Sequence, residues 1–301
     1  MEVSPHIEIS SGGTAKSGRS CLEDHVRIGG IEIPLNELLR IDISDANLRK
    51  TLRDQFVNAK PFEHLILDGL FNEDLLALVV EEFDFAGERS WHTVQTENQK
   101  FRRMLPGAQL GPASQLYYDI IHSGRFVEFL SAVTGVENLV TDPTLQRSGL
   151  QEYPTGSWFG VHVDFNKHRS TLLDNELGLL TYLNKGWKGD FGGTLELWDT
   201  ETQSCTVEVV PEFGRMVLLR HSDKSYHGLS RPVNAPDGRP RRAIAAYYYG
   251  NRPDTRAMEH RTTVFYELTR KIAKNKTAKS VIKYCLPPML IDLARYFTNI
   301  G

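Results

Sequence analysis

The sequence predicts a mainly β fold with flanking helices, and two observations indicate this class. From Leu145 to Gly250, short runs of β-branched and aromatic residues alternate with glycine, proline, asparagine and aspartate, a pattern typical of β-sandwiches and barrels. On both sides of this stretch, apolar residues recur at steps of three and four, as in amphipathic helices. We therefore expect a core of strands that is supported by helices.

Three helices are predicted ahead of the β-rich stretch, from their apolar spacing and from capping signals. Ser44 is expected to cap the first helix, which continues to Phe56. Asn72 is expected to cap the second, which continues to Phe83. The third is predicted as one amphipathic helix over residues 112–134.

The composition excludes several classes of protein. The 301 residues carry a formal net charge of −3, which gives no sign of a nucleic-acid partner. Three widely spaced cysteines (Cys21, Cys205 and Cys285) do not suggest a disulfide scaffold and suit a reducing compartment. No secretory leader and no apolar run long enough for a membrane span is visible, so we expect a cytoplasmic protein.

The most informative short motif is His162-Val163-Asp164. Alternate side chains of a strand point to the same face, so His162 and Asp164 can both reach one metal ion. His227 lies 63 positions after Asp164, which leaves room for four intervening strands of a sandwich. Two imidazoles and one carboxylate suit non-haem Fe(II) and leave coordination positions open.

Two other histidines provide alternatives for this site. His168 forms a local cluster with His162 and Asp164, which would suit zinc and a hydrolase. His221 precedes His227 by six positions and is a second candidate for the distant ligand.

Six segments between residues 143 and 251 resemble, in the same order, the motifs of one enzyme family. The first three are a Tyr-Pro-x-Gly turn at 151–156, a Tyr-Leu-Asn-x-x-Trp strand at 181–187 and a Gly-Gly-x-Leu-x-Leu-Trp strand at 192–198. The others are the strand before the distal histidine at 211–219, a Tyr-His-Gly step at 226–228 and an arginine-bearing strand at 241–249. The family is that of the 2-oxoglutarate- and Fe(II)-dependent dioxygenases, specifically the prolyl-4-hydroxylase-like superfamily. The resemblance covers about a third of the chain.

This resemblance implies a double-stranded β-helix, or jelly roll, that is braced by α-helices. We expect four parts along the chain. They are a flexible tail over 1–25, a helical and strand support region of the same domain over 26–142, the dioxygenase core over 143–251 and a helical extension over 252–301.

The resemblance also implies the chemistry of the core. Fe(II) would be held by His162, Asp164 and His227, with 2-oxoglutarate and O2 as co-substrates and with ascorbate as an accessory. The implied reaction hydroxylates an unactivated C–H bond and converts 2-oxoglutarate to succinate and CO2. The carboxylate of Asp164 favours hydroxylation, because family members that halogenate lack it. His227 is preferred to His221 because it stands in the Tyr-His-Gly step.

Arg241 is the expected anchor for 2-oxoglutarate. Its planar fork can bind a carboxylate through two parallel hydrogen bonds. Arg242 follows it and would point to the opposite face of a regular strand, so only one of the two can face the cavity. Tyr153 and Thr181 stand where the family supplies hydroxyl groups to the co-substrate.

The substrate is less well defined by the sequence than the co-substrate. Residues 165–169 form a polar, cationic loop after the first two ligands, and we expect Asn166 and His168 to contact the substrate. Trp198 and Tyr226 are candidates for the pocket wall. A small, amino-acid-like or glycan-related metabolite is preferred. A metal-free jelly-roll binding module and the zinc hydrolase remain the alternatives.

A basic stretch follows the β-rich region. Residues 256–283 carry eight lysines and arginines against two glutamates, together with an apolar stripe. Such a helix would pack on the barrel with a solvated basic face, or would dock an acidic carrier protein or an anionic surface. The oligomeric state cannot be predicted.

Overall fold

The computed structural model of the chain describes residues 8–9, 24–85, 87, 90–251 and 261–266. Most of the predicted tail, most of the basic stretch and the predicted C-terminal helices lie outside these residues. Within the predicted tail, strand β1 (Glu8–Ile9) pairs with β2 (His25–Ile28), and β2 pairs with β3 (Ile31–Pro34). These three strands form a small antiparallel sheet of their own.

The main body of the described chain is one curled antiparallel sheet of thirteen strands. Its strands are β4 (His64–Leu67), β5 (Trp91–Gln95), β6 (Gln99–Met104), β7 (Val140–Thr141), β8 (Gly149–Tyr153), β9 (Trp158–Val163), β10 (Asp174–Tyr182), β11 (Leu195–Asp199), β12 (Ser204–Val209), β13 (Met216–Arg220), β14 (His227–Leu229), β15 (Arg241–Gly250) and β16 (Val264–Phe265). Ten of them follow the order β12-β11-β14-β9-β6-β8-β15-β10-β13-β4, while β5, β7 and β16 pair with β6, β15 and β9.

The sheet folds over on itself at β6. This strand pairs with β8 through Arg102 and Arg103 and with β9 through Gln99 and Lys100. One half of the sheet therefore continues into the other, and their inner faces enclose a cavity. The predicted mainly β class with flanking helices is confirmed.

Four α-helices of the described residues support one half of the sheet. They are α1 (Ala46–Asn58), α2 (Glu73–Phe85), α3 (Pro112–His122) and α4 (Gly124–Thr134). Their buried side chains form one apolar cluster with alternate residues of the sheet, such as Leu179, Leu218 and Ile244. The residues between these, such as Val217 and Ala243, belong to a second cluster inside the curl. Among the described residues, no helix is long and apolar enough to span a membrane.

Helix starts follow the predicted signals in one case and shift in another. Asn72 caps α2 as predicted, because its side-chain oxygen accepts hydrogen bonds from the amides of Asp74 and Leu75. The cap of α1 is Asp45 and not Ser44, and its carboxylate accepts a hydrogen bond from the Leu48 amide at 2.8 Å. The prediction for Ser44 was therefore wrong by one residue.

The predicted helix over 112–134 is two helices, α3 and α4, which are separated at Ser123. The backbone of Ser123 is extended, with φ −63° and ψ 148°. Its hydroxyl accepts a hydrogen bond from the Phe126 amide at 3.2 Å and donates to the Ile120 carbonyl at 2.7 Å. One serine thus ends the first helix and caps the second, which the apolar spacing alone did not reveal.

Candidate active site

The two histidines of the predicted ligand set lie on adjacent strands. His162 is near the end of β9, His227 begins β14, and the two residues are register partners across this antiparallel pair. Four strands, β10 to β13, separate β9 from β14 along the chain, as the spacing predicted. Asp164 follows β9 and lies on the same side as His162, so the fold brings the three side chains together.

His162, Asp164 and His227 form a compact group of possible metal ligands. Their ligand atoms all lie within 4.8 Å of one another. Nε2 of His162 is 3.4 Å from Oδ1 of Asp164, and Nε2 of His227 is 3.8 Å from Oδ2 of Asp164. Both imidazoles are buried, and the carboxylate is 10% exposed. A metal ion at this place would be largely removed from solvent.

The orientation of both rings fits a metal centre. Nδ1 of His162 lies 2.8 Å from the Gly160 carbonyl, and Nδ1 of His227 lies 3.0 Å from the Ser225 carbonyl. Each Nδ1 must carry the proton to donate to a carbonyl, so the lone pair of each neutral ring is on Nε2. The two lone pairs and the carboxylate therefore converge, which is the donor set that suits ferrous iron.

The charge states of the ligands are those that metal binding requires. Burial lowers the pKa of His227 to about 4, so this ring is neutral near pH 7. Burial opposes ionisation of Asp164, but the surrounding imidazoles of His162, His227 and His221 outweigh this effect and hold the pKa of Asp164 well below its ordinary value. A neutral imidazole and an ionised carboxylate are ready to bind a cation without releasing protons.

Gly228 allows β14 to lie close enough to β9 for this geometry. A Cβ atom there would come within 2.8 Å of Val161 Cα and 2.9 Å of its nitrogen, both of which are backbone atoms. We expect Gly228→Ala to displace His227, to weaken Fe(II) binding, and to lower the free energy of unfolding by about 1–3 kcal/mol, as overpacking does. Metal titration and urea unfolding would measure the two effects. Gly124→Ala is the matched control, because nothing lies within 4 Å of its Cβ position; equal behaviour of the two variants would contradict this account.

His221, the alternative distal ligand, is also brought to the cavity. Its Nε2 lies 3.4 Å from Oδ2 of Asp164, and its ring is parallel to that of His227 at 6.4 Å. Neither ring nitrogen makes a hydrogen bond among the described residues. The compact group of ligand atoms contains His227 and not His221, so His227 remains the predicted ligand.

His168 is not brought to the metal ligands or to the cavity. Its Nδ1 accepts hydrogen bonds from the amides of Ser170 and Thr171, and its Nε2 lies 3.4 Å from the carboxylate of Asp142. It therefore stabilises the turn after β9. Since the compact group does not include it, the zinc site with His168 has no structural support, and neither has its predicted contact with substrate.

Arg241 lies deep inside the curl beside the three ligands. A cavity of about 50 Å³ is lined by His162, Asp164, His227 and Arg241 among others. The guanidinium of Arg241 lies 4.8 Å from the ring centres of both Tyr153 and Tyr182. Arg242, in contrast, points to the helices. The alternation expected of a strand thus sends Arg241 inward and Arg242 outward, as predicted.

Gly193 also positions the side chain of Arg241. Its carbonyl accepts a hydrogen bond from Nε of Arg241 at 2.8 Å. The residue has φ +64°, and a Cβ atom there would lie 2.9 Å from Cδ of Arg241. Only glycine therefore adopts this backbone conformation and leaves space for the arginine. The Gly-Gly motif of the sequence has this physical role.

Of the two predicted hydroxyl donors, the structure brings only Tyr153 to the cavity. Thr181 points to the opposite face of β10, where its hydroxyl lies 2.7 Å from that of Tyr117 on α3. Its neighbour Tyr182 points inward instead and packs on Arg241. The prediction for Thr181 is therefore corrected by one residue. The buried Tyr182 hydroxyl makes no hydrogen bond of standard geometry among the described residues.

The other predicted substrate contacts also lie away from this cavity. Asn166 accepts a hydrogen bond from the Arg261 amide at 2.7 Å and so ties the loop to the segment before β16. Trp198 donates to Glu196 at 3.0 Å. The rings of Trp198 and Tyr226 both contact Tyr266, at 6.1 and 5.3 Å. Asn166, Trp198 and Tyr226 therefore hold neighbouring segments together, and they do not line the cavity of the metal ligands.

A second cavity, of about 300 Å³, adjoins Asp164 and was not predicted from the sequence. Arg103 of β6, Arg147 and Tyr247 of β15 line it. The Tyr247 hydroxyl also donates to Oδ2 of Asp164 at 3.2 Å, and burial raises its pKa well above the ordinary value, so it stays protonated. Strand alternation could have found Tyr247, because it shares the face of Arg241. No sequence motif around Arg103 or Arg147 indicated that they line a cavity.

The fold and the ligand geometry define a class of protein. A curled sheet that encloses two histidines and one aspartate, with an arginine beside them, is the arrangement of non-haem iron oxygenases. Residues 148–249 match the family model of the 2OG-Fe(II) oxygenase superfamily. These residues form a domain of this superfamily, which is a class of oxygenases. The predicted family is confirmed.

One relative by sequence agrees with this class. The chain is 26% identical over 236 residues to prolyl 3-hydroxylase OGFOD1 of Mus musculus, a match that covers 71% of this chain. It spans 41% of that relative's length.

Two solved structures are similar to the chain. A prolyl-4-hydroxylase of Pseudomonas putida matches with a TM-score of 0.51 and 15% identity, over 68% of this chain and 100% of that one. HygX of Streptomyces hygroscopicus, solved with nickel and 2-oxoglutarate, matches with a TM-score of 0.47 and 13% identity, over 74% of this chain and 98% of that one. The first of these likenesses confirms the predicted jelly roll.

Proposed function

We propose that the protein is an Fe(II)- and 2-oxoglutarate-dependent hydroxylase of a small metabolite. His162, Asp164 and His227 would hold the iron, and Arg241 would hold the far carboxylate of 2-oxoglutarate. Iron with this co-substrate supplies the oxidation of an unactivated C–H bond: one oxygen atom of O2 enters the substrate and the other enters succinate, with release of CO2. The observation that carries the proposal is the convergence of two oriented Nε2 lone pairs and one carboxylate in a buried cavity.

The residues of the chain orient the reactants and exclude water. Arg241 is 2% exposed and is flanked by two aromatic rings, so an ion pair with a carboxylate there would be poorly screened and strong. Tyr247 donates a hydrogen bond to Asp164 and restricts the rotation of its carboxylate. The substrate would bind in a second cavity of about 300 Å³, because this cavity adjoins Asp164 and is partly open to solvent.

A prolyl residue of a polypeptide is the second candidate substrate. The mouse relative and the Pseudomonas structure are both named for prolyl hydroxylation. A small metabolite is favoured by the volume of the cavity, about 300 Å³, and by the residues that line it. Ascorbate as an accessory and a cytoplasmic location remain predictions from the sequence.

An anaerobic titration tests the proposed function. We expect Fe(II) and 2-oxoglutarate together, but neither alone, to give a visible charge-transfer band with one equivalent of each. Zn(II) in place of Fe(II) should give none. A metal-free binding module or a zinc hydrolase would show no such band. If the wild-type protein shows no band and forms no succinate with any candidate substrate, the proposal is wrong.

A further inference from the structure

The cavity of about 300 Å³ beside Asp164 has an unusual combination of walls. Four phenylalanines and Val94 make part of the wall apolar, and two arginines lie among them. The lining residues are Val94, Gln99, Phe101, Arg103, Arg147, Gln151, Phe159, Asp164, Phe165, Tyr247, Thr262, Thr263 and Phe265. Gln151, Phe159, Asp164 and Tyr247 also line the cavity of the metal ligands, so the two spaces meet there.

Arg103 faces this cavity without an acidic partner. It stands on β6 opposite Gln151, while the preceding residue, Arg102, stands opposite Glu152 and binds it at 2.6 Å on the outer face. Among the described residues, Arg103 makes no ion pair or side-chain hydrogen bond. Burial lowers the pKa of Arg103, because removal from water disfavours the charged guanidinium.

Arg147 reaches the same cavity from a turn that is held in one conformation. Both carboxylate oxygens of Asp142 accept hydrogen bonds from this turn, from the amides of Thr144 and Gln146. Arg147 itself has φ 61°, which is uncommon for a residue other than glycine. Its guanidinium lies 4.6 Å from the ring centre of Phe165 and forms no ion pair among the described residues.

The charges of the cavity do not balance. Two guanidinium groups line it, and the one acidic side chain among its lining residues is Asp164, which a bound metal ion would neutralise. Partly buried cations without acidic partners are costly, and a ligand that supplies an anion would offset this cost. The co-substrate is accounted for by Arg241, which lies in the other cavity.

We propose that Arg103 and Arg147 form a subsite for an anionic group of the substrate, and that the substrate is a small organic acid with an apolar body. The carboxylate or phosphate would bind the two guanidinium groups through charge-assisted hydrogen bonds. The apolar part would pack against the phenylalanine rings, close to Asp164. This inference rests on the proposed function for the placing of the reactive carbon, but the anion subsite can be tested independently of it.

The test uses simple probes on the full chain loaded with Fe(II) and saturating 2-oxoglutarate, without oxygen. Benzoate, phenyl phosphate and the uncharged benzamide are titrated by calorimetry. We expect at least one of the two anions to bind at least tenfold more tightly than benzamide, and the better one identifies the anionic group. Arg103→Met and Arg147→Met should each reduce that affinity about tenfold, the equivalent of one lost charge-assisted hydrogen bond.

Arg169→Met is the matched control, because Arg169 is exposed in a nearby loop and does not line the cavity. It should leave all three affinities unchanged. Equal affinity of wild type for the anions and benzamide, including no measurable binding of any probe, overturns the subsite. Unchanged anion affinity in both cavity variants overturns it as well. The wild-type comparison stands even if a variant does not fold.

The two proposals fail in different ways. If the protein gives no band with Fe(II) and 2-oxoglutarate but still prefers the anions in their absence, the subsite stands and the oxygenase proposal does not. If the band forms and the probes show no preference for charge, the reverse holds.

Discussion

Replacement of Asp164 by alanine is expected to abolish iron-dependent turnover. Asp164 supplies the only negative charge of the proposed ligand set, at 3.4 Å and 3.8 Å from Nε2 of His162 and His227. Two neutral imidazoles alone bind Fe(II) weakly. Loss of a residue that only hydrogen-bonds to a metal ligand costs about 10–100-fold in metal affinity or activity. The loss of the ligand itself should therefore cost more. Fe(II) titration and succinate formation would measure the effect.

Two further variants make this result specific. Asp164→Asn retains the shape of the side chain and an oxygen that can accept the hydrogen bond of Tyr247, but it removes the charge, so it should also lose iron. Asp174→Ala removes a partly buried carboxylate ten positions further on, which pairs with Lys167 at 2.9 Å. It should leave iron binding unchanged. An Asp164→Ala protein that retains the charge-transfer band would refute the proposed ligand set.

Replacement of Arg241 by methionine should weaken 2-oxoglutarate binding by about 2–5 kcal/mol, the cost of truncating one partner of a buried charge pair. At about tenfold per 1.4 kcal/mol, this is about a 30- to 4000-fold rise in the Kd. The cost is large because Arg241 is buried between Tyr153 and Tyr182 and water cannot replace it. The band at graded co-substrate concentrations gives the Kd, while the Fe(II) affinity should not change.

Arg242→Met is the matched control from the other face of the same strand. Arg242 binds Glu152 at 2.8 Å and Asp84 at 2.6 Å, outside the curl. We expect its loss to lower the free energy of unfolding by about 1–3 kcal/mol, since Glu152 keeps Arg102 as a partner. The Kd of the Arg242→Met variant for 2-oxoglutarate should equal that of the wild type. If Arg242→Met weakened 2-oxoglutarate binding and Arg241→Met did not, the anchor would be Arg242.

The sequence predicted those features that depend on short-range geometry. The two-residue step between His162 and Asp164 placed both on one side of a strand, and the interval to His227 left room for the four strands that are observed. Alternation likewise predicted that only one of Arg241 and Arg242 faces inward. Such features follow from strand periodicity and from motif order, which are visible in a linear chain.

Features that depend on register or on distant segments were not predictable in this way. Thr181 and Tyr182 exchange faces with a shift of one residue, and the sequence does not determine where the strand begins its alternation. Arg103 and Arg147 come from β6 and from a turn, 44 positions apart, and only the folded sheet brings them together. Trp198 and Tyr226 pack against Tyr266, as aromatic residues in a sandwich commonly do.

Each proposed iron-binding imidazole is held by a carbonyl two positions earlier in its own chain segment, Gly160 for His162 and Ser225 for His227. Neither Arg103 nor Arg147 takes part in these two hydrogen bonds. We therefore expect substitutions at Arg103 or Arg147 to change which molecules bind while both imidazoles keep their orientation. Such independence would allow selectivity and reactivity to be engineered one at a time.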